Sequence, residues 1–130
     1  MNIYEMLNEK KVRMRPGMYI GDLTMNNVKY FLKGIYFSLE NNNILTDFDI
    51  KFNKYFDAYI KQKIMSKNIN DGKLELSQIN GFEKLIPLIE PNWENHINIF
   101  YDFLDQFYDD YRECIDFNYL NCKRRFYNEL

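Results

Sequence analysis

A chain of 130 residues has the length of one ordinary domain and can bury a sizeable core without staples. Hydrophobic residues make up 46% and aromatics 18%, with 11 Phe and 11 Tyr against one Trp, a load that argues against a disordered chain. The net charge of −2 and pI near 5.4 argue against a broadly basic nucleic-acid binder, and no run approaches the ~20 apolar residues of a membrane span.

The opening segment predicts an amphipathic helix over residues 3–14, with Ile3, Met6, Leu7 and Met14 on its apolar side. Met1 to Glu5 hold no basic stretch followed by an apolar one, so no secretory leader is expected. Pro16 and Gly17 are predicted to end this helix, with Gly17 in a backbone conformation disfavoured for other residues. Met18, Tyr19 and Ile20 form a short apolar bridge packed underneath, and Gly21-Asp22 turns the chain again.

Thr24 is placed to cap a second helix whose apolar face is Val28, Phe31, Leu32, Ile35 and Leu39, closed by Asn41-Asn42-Asn43. Thr46 or Asp47 caps a third, with Phe48, Phe52, Tyr55, Phe56, Tyr59, Ile60 and Ile64 at steps of three and four. Residues 66–81 read as a polar loop in which Lys73 to Leu76 could form a lone strand. Phe82 to Ile89 reads as a short helix or turn stopped by Pro87 and Pro91. The last long helix is predicted to be capped by Asn92. Its apolar stripe is Trp93, Ile97, Phe100, Tyr101, Leu104, Phe107, Tyr108, Tyr111, Cys114 and Ile115. Trp93, Phe100, Leu104 and Phe107 are expected to be core residues. The segment from Phe117 ends in a basic cluster, Lys123-Arg124-Arg125. No repeat or linker divides the chain, so the expected fold is all-α: one helical bundle over residues 1–130 with four to six helices and little or no strand.

Charge is unevenly spread. Residues 1–40 carry net +2 and residues 41–89 net +1, whereas residues 90–116 hold eight acidic groups against Arg112 alone. On the last helix Asp102, Asp105, Asp109, Glu113 and Asp116 recur at helical steps away from the aromatic stripe. Such a field favours a basic partner, although every surface helix also needs a wet side.

Chemistry-bearing patterns are scarce. His96 is the only histidine and is expected at the surface or at a helix start, which leaves no His/Cys metal site. Cys114 and Cys122 fit no nucleophile signature and are read as free thiols of a reduced, cytoplasmic protein. The five glycines are scattered and form no phosphate loop. The helical acids match a solvated face better than an oxygen cage. No catalytic residue, metal or cofactor is therefore expected, and the chain is not expected to be an enzyme.

Arg13, Arg15, Pro16, Gly17, Met18, Tyr19, Ile20 and Gly21 form a distinctive string. It resembles the segment near the N-terminus of the ATPase domain in gyrase B and topoisomerase IV subunits, where a helix runs into the same motif ahead of the nucleotide-binding helix. That family's next helix carries a catalytic Glu and a magnesium-binding Asn, and here the corresponding region falls near Gly34 and Ser38. The glycine-rich lid is missing too, so ATP hydrolysis is not carried over.

A wider resemblance joins this motif to the aromatic segment Phe52 to Ile60 and to Asn92-Trp93 followed by an acidic aromatic helix. In that order the chain is similar to small bacterial immunity proteins of polymorphic-toxin and contact-dependent growth-inhibition systems. The resemblance implies a cytoplasmic inhibitor of one cognate toxin domain, with no small-molecule substrate, and the acidic row on the last helix is the surface expected to bind it. The alternative is a nucleic-acid- or gyrase-related regulator using Lys10, Lys11, Arg13, Arg15 or the basic tail. Against it, Arg13 and Arg15 have a competing structural role, hydrogen bonding that fixes the Pro-Gly turn.

Overall fold

The computed structural model describes residues 1–67 and 78–114, and among these the fold is all-α. The helices are α1 (Ile3–Asn8), α2 (Lys10–Met14), α3 (Gly17–Ile20), α4 (Met25–Asn41), α5 (Asp47–Lys67), α6 (Phe82–Ile89) and α7 (His96–Glu113), with a 3-10 turn at Trp93–Asn95. The loop or strand expected over 66–81 falls mostly outside the described residues, as do Ile115, Asp116, Cys122 and the basic tail.

Side-chain caps decide several boundaries. Asn2 accepts from the Glu5 amide at the head of α1, and Thr24 accepts from the Asn27 amide at the head of α4. At the head of α5 the Thr46 hydroxyl accepts from the Asp49 amide at 3.2 Å, and the Asp49 carboxylate accepts from the Thr46 amide at 2.9 Å. This reciprocal pair satisfies two amides that the first turn would otherwise leave orphaned. The other Asp49 oxygen accepts from the Ile3 amide at 2.7 Å. One fully buried carboxylate therefore serves two helix N-termini, where the backbone dipoles favour negative charge.

The core is an aromatic stack in which α5 meets α6 and α7. Phe48, Phe52 and Phe56 stand one turn apart on α5 and meet Phe107 of α7 edge-on, with centroids 5.6 to 5.8 Å away. Tyr59 adds a fourth edge contact with Phe107 at 5.2 Å. Phe82 and Phe100 extend the stack, 5.2 Å apart. Edge-to-face packing sets the positive ring edge against the negative face, which adds to the area buried. Val28, Leu32 and Leu39 close the core from α4, and Ile3 and Leu7 from α1.

Several expectations need correction. The opening helix is two pieces, because Glu9 leaves the helical region with ψ 136°. Gly17 sits inside α3 with no positive φ, and the strained position is Gly21 at φ 86° and ψ −138°. Pro16 already occupies the helical region and starts a new turn, so it is Gly21 that redirects the chain. Met18 and Tyr19 are exposed, and only Ile20 of that trio packs on the core. Pro87 lies within α6 without ending it: it gives up the amide bond to Glu83, but one turn follows and Glu90 still donates to Ile86.

Trp93 is 59% exposed, because Asn92 caps a 3-10 turn rather than α7 itself and that turn points the indole outward. Phe100, Leu104 and Phe107 are core, as expected. His96 does begin α7, but it is buried, with Nε2 2.7 Å from the Glu90 carbonyl oxygen. Cys114 is disulfide-bonded, which overturns the free-thiol expectation. It leaves α7 in an extended conformation, φ −106° and ψ 116°, so the chain departs from the helix axis there.

Candidate partner-binding surface

The acidic residues singled out on the last helix separate into different roles. Asp102, Asp109 and Glu113 are exposed on α7, at steps of seven and four that keep them on one side. Asp105 lies on the same side but is half-buried and internally engaged. Arg13 grips it in a fork, Nη1 to Oδ1 at 3.0 Å and Nη2 to Oδ2 at 2.7 Å. The Tyr4 hydroxyl donates to the same carboxylate at 3.1 Å. Asp116 falls outside the described residues.

A second layer holds Arg13 in place. Its guanidinium lies 4.6 Å above the Tyr101 ring and donates to Asn8 Oδ1. Tyr101 donates to the Leu7 carbonyl oxygen at 3.0 Å. Tyr4 stacks on Tyr108, with centroids 3.8 Å apart and planes within 9°. The N-terminal helices are thus pinned to α7 by a fork, a ring stack and a cation over a ring. Burial and the neighbouring Asp105 push the Tyr4 hydroxyl up to about 12. The hydrogen bond to Asp105 raises the Arg13 guanidinium further.

Two more carboxylates that contribute to the acid count are built into the fold. Asp110 is buried and accepts from the Tyr59 hydroxyl at 2.6 Å. Glu90 accepts from the Asn92 amide. Arg112 stands over Tyr108 at 5.6 Å and brings a positive charge to the helix end. The outward field of this segment is therefore smaller than its composition indicates. Tyr111 donates to Asp47 at 2.8 Å and is pushed up to about 12, chiefly by burial and then by that hydrogen bond.

Of the N-terminal string, Arg13 acts on α7, Pro16 heads α3, Gly21 makes the turn, and Arg15, Gly17, Met18 and Tyr19 face solvent. The sequence offers no direct cue that Arg13 pairs with Asp105, since the two lie 92 positions apart.

A separate cluster sits between α4, α5 and α6. Glu83, nearly buried, receives Lys29 at 3.0 Å, and Asp57 accepts from the Phe82 amide at 2.9 Å, capping α6 from a neighbouring helix. Burial raises the Asp57 carboxyl above its ordinary value, although the residue as a whole is exposed. A cleft of about 90 Å³ lies beside these groups, floored by Phe52, Phe56 and Phe82. Among the described residues no three His, Cys, Asp or Glu side chains gather as a metal ion would require. No described helix is long and apolar enough to cross a membrane. No protein-family model, curated protein or solved structure matches the chain.

Proposed function

We propose that this chain is an immunity-type inhibitor. It is a non-catalytic, cofactor-free domain that neutralises a cognate toxin domain, of nuclease type, by setting the acidic side of α7 against the toxin's basic cleft. The observation that carries the proposal is the outward row of Asp102, Asp109 and Glu113, with Asp105 held among them by Arg13. Carboxylates on a rigid helix steer a basic surface into register and occupy the place of nucleic-acid phosphates. Asp105 acts by fixing α7 against α1 and α2. Asp102 and Asp109 are the direct contacts, together with Glu113 and, beyond the described residues, Asp116. A nucleic-acid-binding or gyrase-related role fits less well, because Arg13, one of its basic residues, is engaged with Asp105 and Tyr101.

An immunity role carries a cytoplasmic location with it. The disulfide at Cys114 is the feature that argues for an oxidising compartment instead.

The experiment immobilises the protein, captures partners from host extract, and repeats the capture with Asp102→Asn/Asp109→Asn. The expected partner is a cationic toxin domain that loses its activity when bound one to one. The double variant should associate about tenfold more slowly at low salt and differ little at high salt, because exposed charges act mainly on encounter. A captured protein whose activity survives saturation, or association unchanged at either salt, would rule out the proposal.

A further inference from the structure

Helix α4 shows solvent an unusual side. Asn26, Tyr30, Gly34, Phe37 and Asn41 recur at steps of four, four, three and four, which places them in one row. All five are exposed, Tyr30 by 63% and Phe37 by 65%. No charged side chain falls in the row. Lys29, Lys33 and Glu40 run along one flank, and the buried Val28, Leu32 and Leu39 lie opposite. A solvent-facing helix side is ordinarily where charge collects, whereas the centre of an interface is depleted of charge and enriched in aromatics. Beyond the other flank, half-buried Phe31 and Ile35 continue the apolar surface into a groove of about 380 Å³ against Met6.

From this face we infer that α4 docks on α4 of a second copy of the chain, antiparallel about a two-fold axis. Gly34 is the first reason. Glycine is disfavoured in a helix interior relative to alanine, and nothing among the described residues requires it here, since an added Cβ would meet no atom within 4 Å. The notch it leaves is open to a side chain approaching from outside. Phe37, three residues on, is the knob that fits such a notch when the helices run in opposite directions. In the same register Tyr30 comes level with Asn41 of the second copy, within reach of a hydroxyl-to-amide hydrogen bond.

Charge supplies the second reason and sets the direction. A two-fold axis brings the Lys29–Lys33–Glu40 flank of one copy against the same flank of the other, reversed. Lys33 then meets Glu40 of the second copy, twice over, whereas a parallel pair would set this flank against the opposite, uncharged one of Asn27, Phe31, Ile35 and Ser38. Lys29 already holds Glu83, and the other flank cation is Lys33, whose ammonium lies 5.9 Å from the Tyr30 ring centroid beside the row. At the exposures above, Tyr30 and Phe37 together offer roughly 250 Å² per copy before the groove walls are counted. That area lies below the usual ~800 Å² per partner, so the dimer is a weak one that forms only at high protein concentration. The surface is independent of the acidic row on α7.

Sedimentation velocity from about 5 to 500 µM, spanning that weak-interface range, tests the inference. The wild-type chain should pass from monomer to dimer. Phe37→Asp should weaken the dimer at least about thirtyfold, as removal of a central aromatic does. Lys33→Glu and Glu40→Lys should each weaken it about tenfold, and the two together should restore it to within about threefold of wild type, because the swapped charges again face their opposites. Circular dichroism establishes that each variant is folded, and the charge swaps, made at exposed positions, decide the matter even if Phe37→Asp is not. A monomer throughout the range, a dimer indifferent to Phe37→Asp, or a double swap that fails to restore association would each overturn the inference.

Discussion

Replacing Arg13 tests whether the N-terminal segment is stapled to α7 as the geometry describes. Arg13→Ala removes a forked ion pair whose side chains are 34% and 35% exposed, a hydrogen bond to Asn8, and a cation 4.6 Å above Tyr101. Exposure of a third on both sides puts the pair nearer the surface range than the buried one, about 0.5–1 kcal/mol for good fork geometry. The ring contact adds about 0.5–1 kcal/mol. Arg13→Ala should therefore cost about 1.5 kcal/mol, a fall of roughly 5 °C in Tm for a domain of this size. Asp105→Ala should cost about 1 kcal/mol, since Tyr4 also loses its acceptor. In the double-mutant cycle the coupling between the two should be about 0.5–1 kcal/mol, read from urea unfolding followed by circular dichroism. Added salt should shrink the coupling while leaving the ring contribution of Arg13 in place. Arg13→Lys should recover little, because an ammonium cannot fork. A coupling within about 0.3 kcal/mol of zero, the ordinary additivity error, would refute the staple, as would full stability of Arg13→Lys.

Three further outcomes follow from the packing. Gly21→Ala should destabilise by about 1–3 kcal/mol because its backbone lies where only glycine is comfortable, whereas Gly17→Ala, inside α3 with open space at its Cβ, should be neutral or slightly stabilising; comparison of their unfolding midpoints decides it. Leu104→Ala should cost about 2–5 kcal/mol in chemical unfolding, and Trp93 should fluoresce as a water-exposed indole in the native protein. Tyr4 and Tyr111 should titrate near 12 rather than 10. A folded value raised above the unfolded one means that their stabilisation is complete below pH 10 and is lost as pH rises through about 12, so alkaline unfolding should set in across that window and move when either residue becomes Phe.

Periodicity alone located α4, α5 and most of the buried side of α7, because a run such as Phe48, Phe52 and Phe56 has one way to hide on a 3.6-residue helix. Local chemistry likewise placed a cap at Thr24 and offered Thr46 or Asp47 for the next helix, and the structure selects Thr46; at Thr24 and Thr46 a hydroxyl meets an amide three residues on. Trp93 misled because it continues the apolar spacing of α7, yet a 3-10 turn lies between them and rotates it away from the core. Gly17 misled because a Pro-Gly pair suits either a turn or a helix start, and only the path to α4 selects the second and passes the bend to Gly21.

The candidate site was legible as a row of acids and no further. Which carboxylates are outward and which are internal depends on contacts made across the fold: Asp105 with Arg13, 92 positions away, and Asp110 with Tyr59, 51 positions away. Nothing in the spacing of Asp102, Asp105 and Asp109 distinguishes a wet carboxylate from a stapled one. By itself the sequence determined the all-α character, most of the aromatic core and the cap at Thr24, since each arises from side chains within a turn or two of one another. The tertiary structure alone decided which charges are neutralised inside the protein and which helix face has no neighbour among the described residues, because hydrogen bonds and packing between distant segments have no local periodicity to announce them.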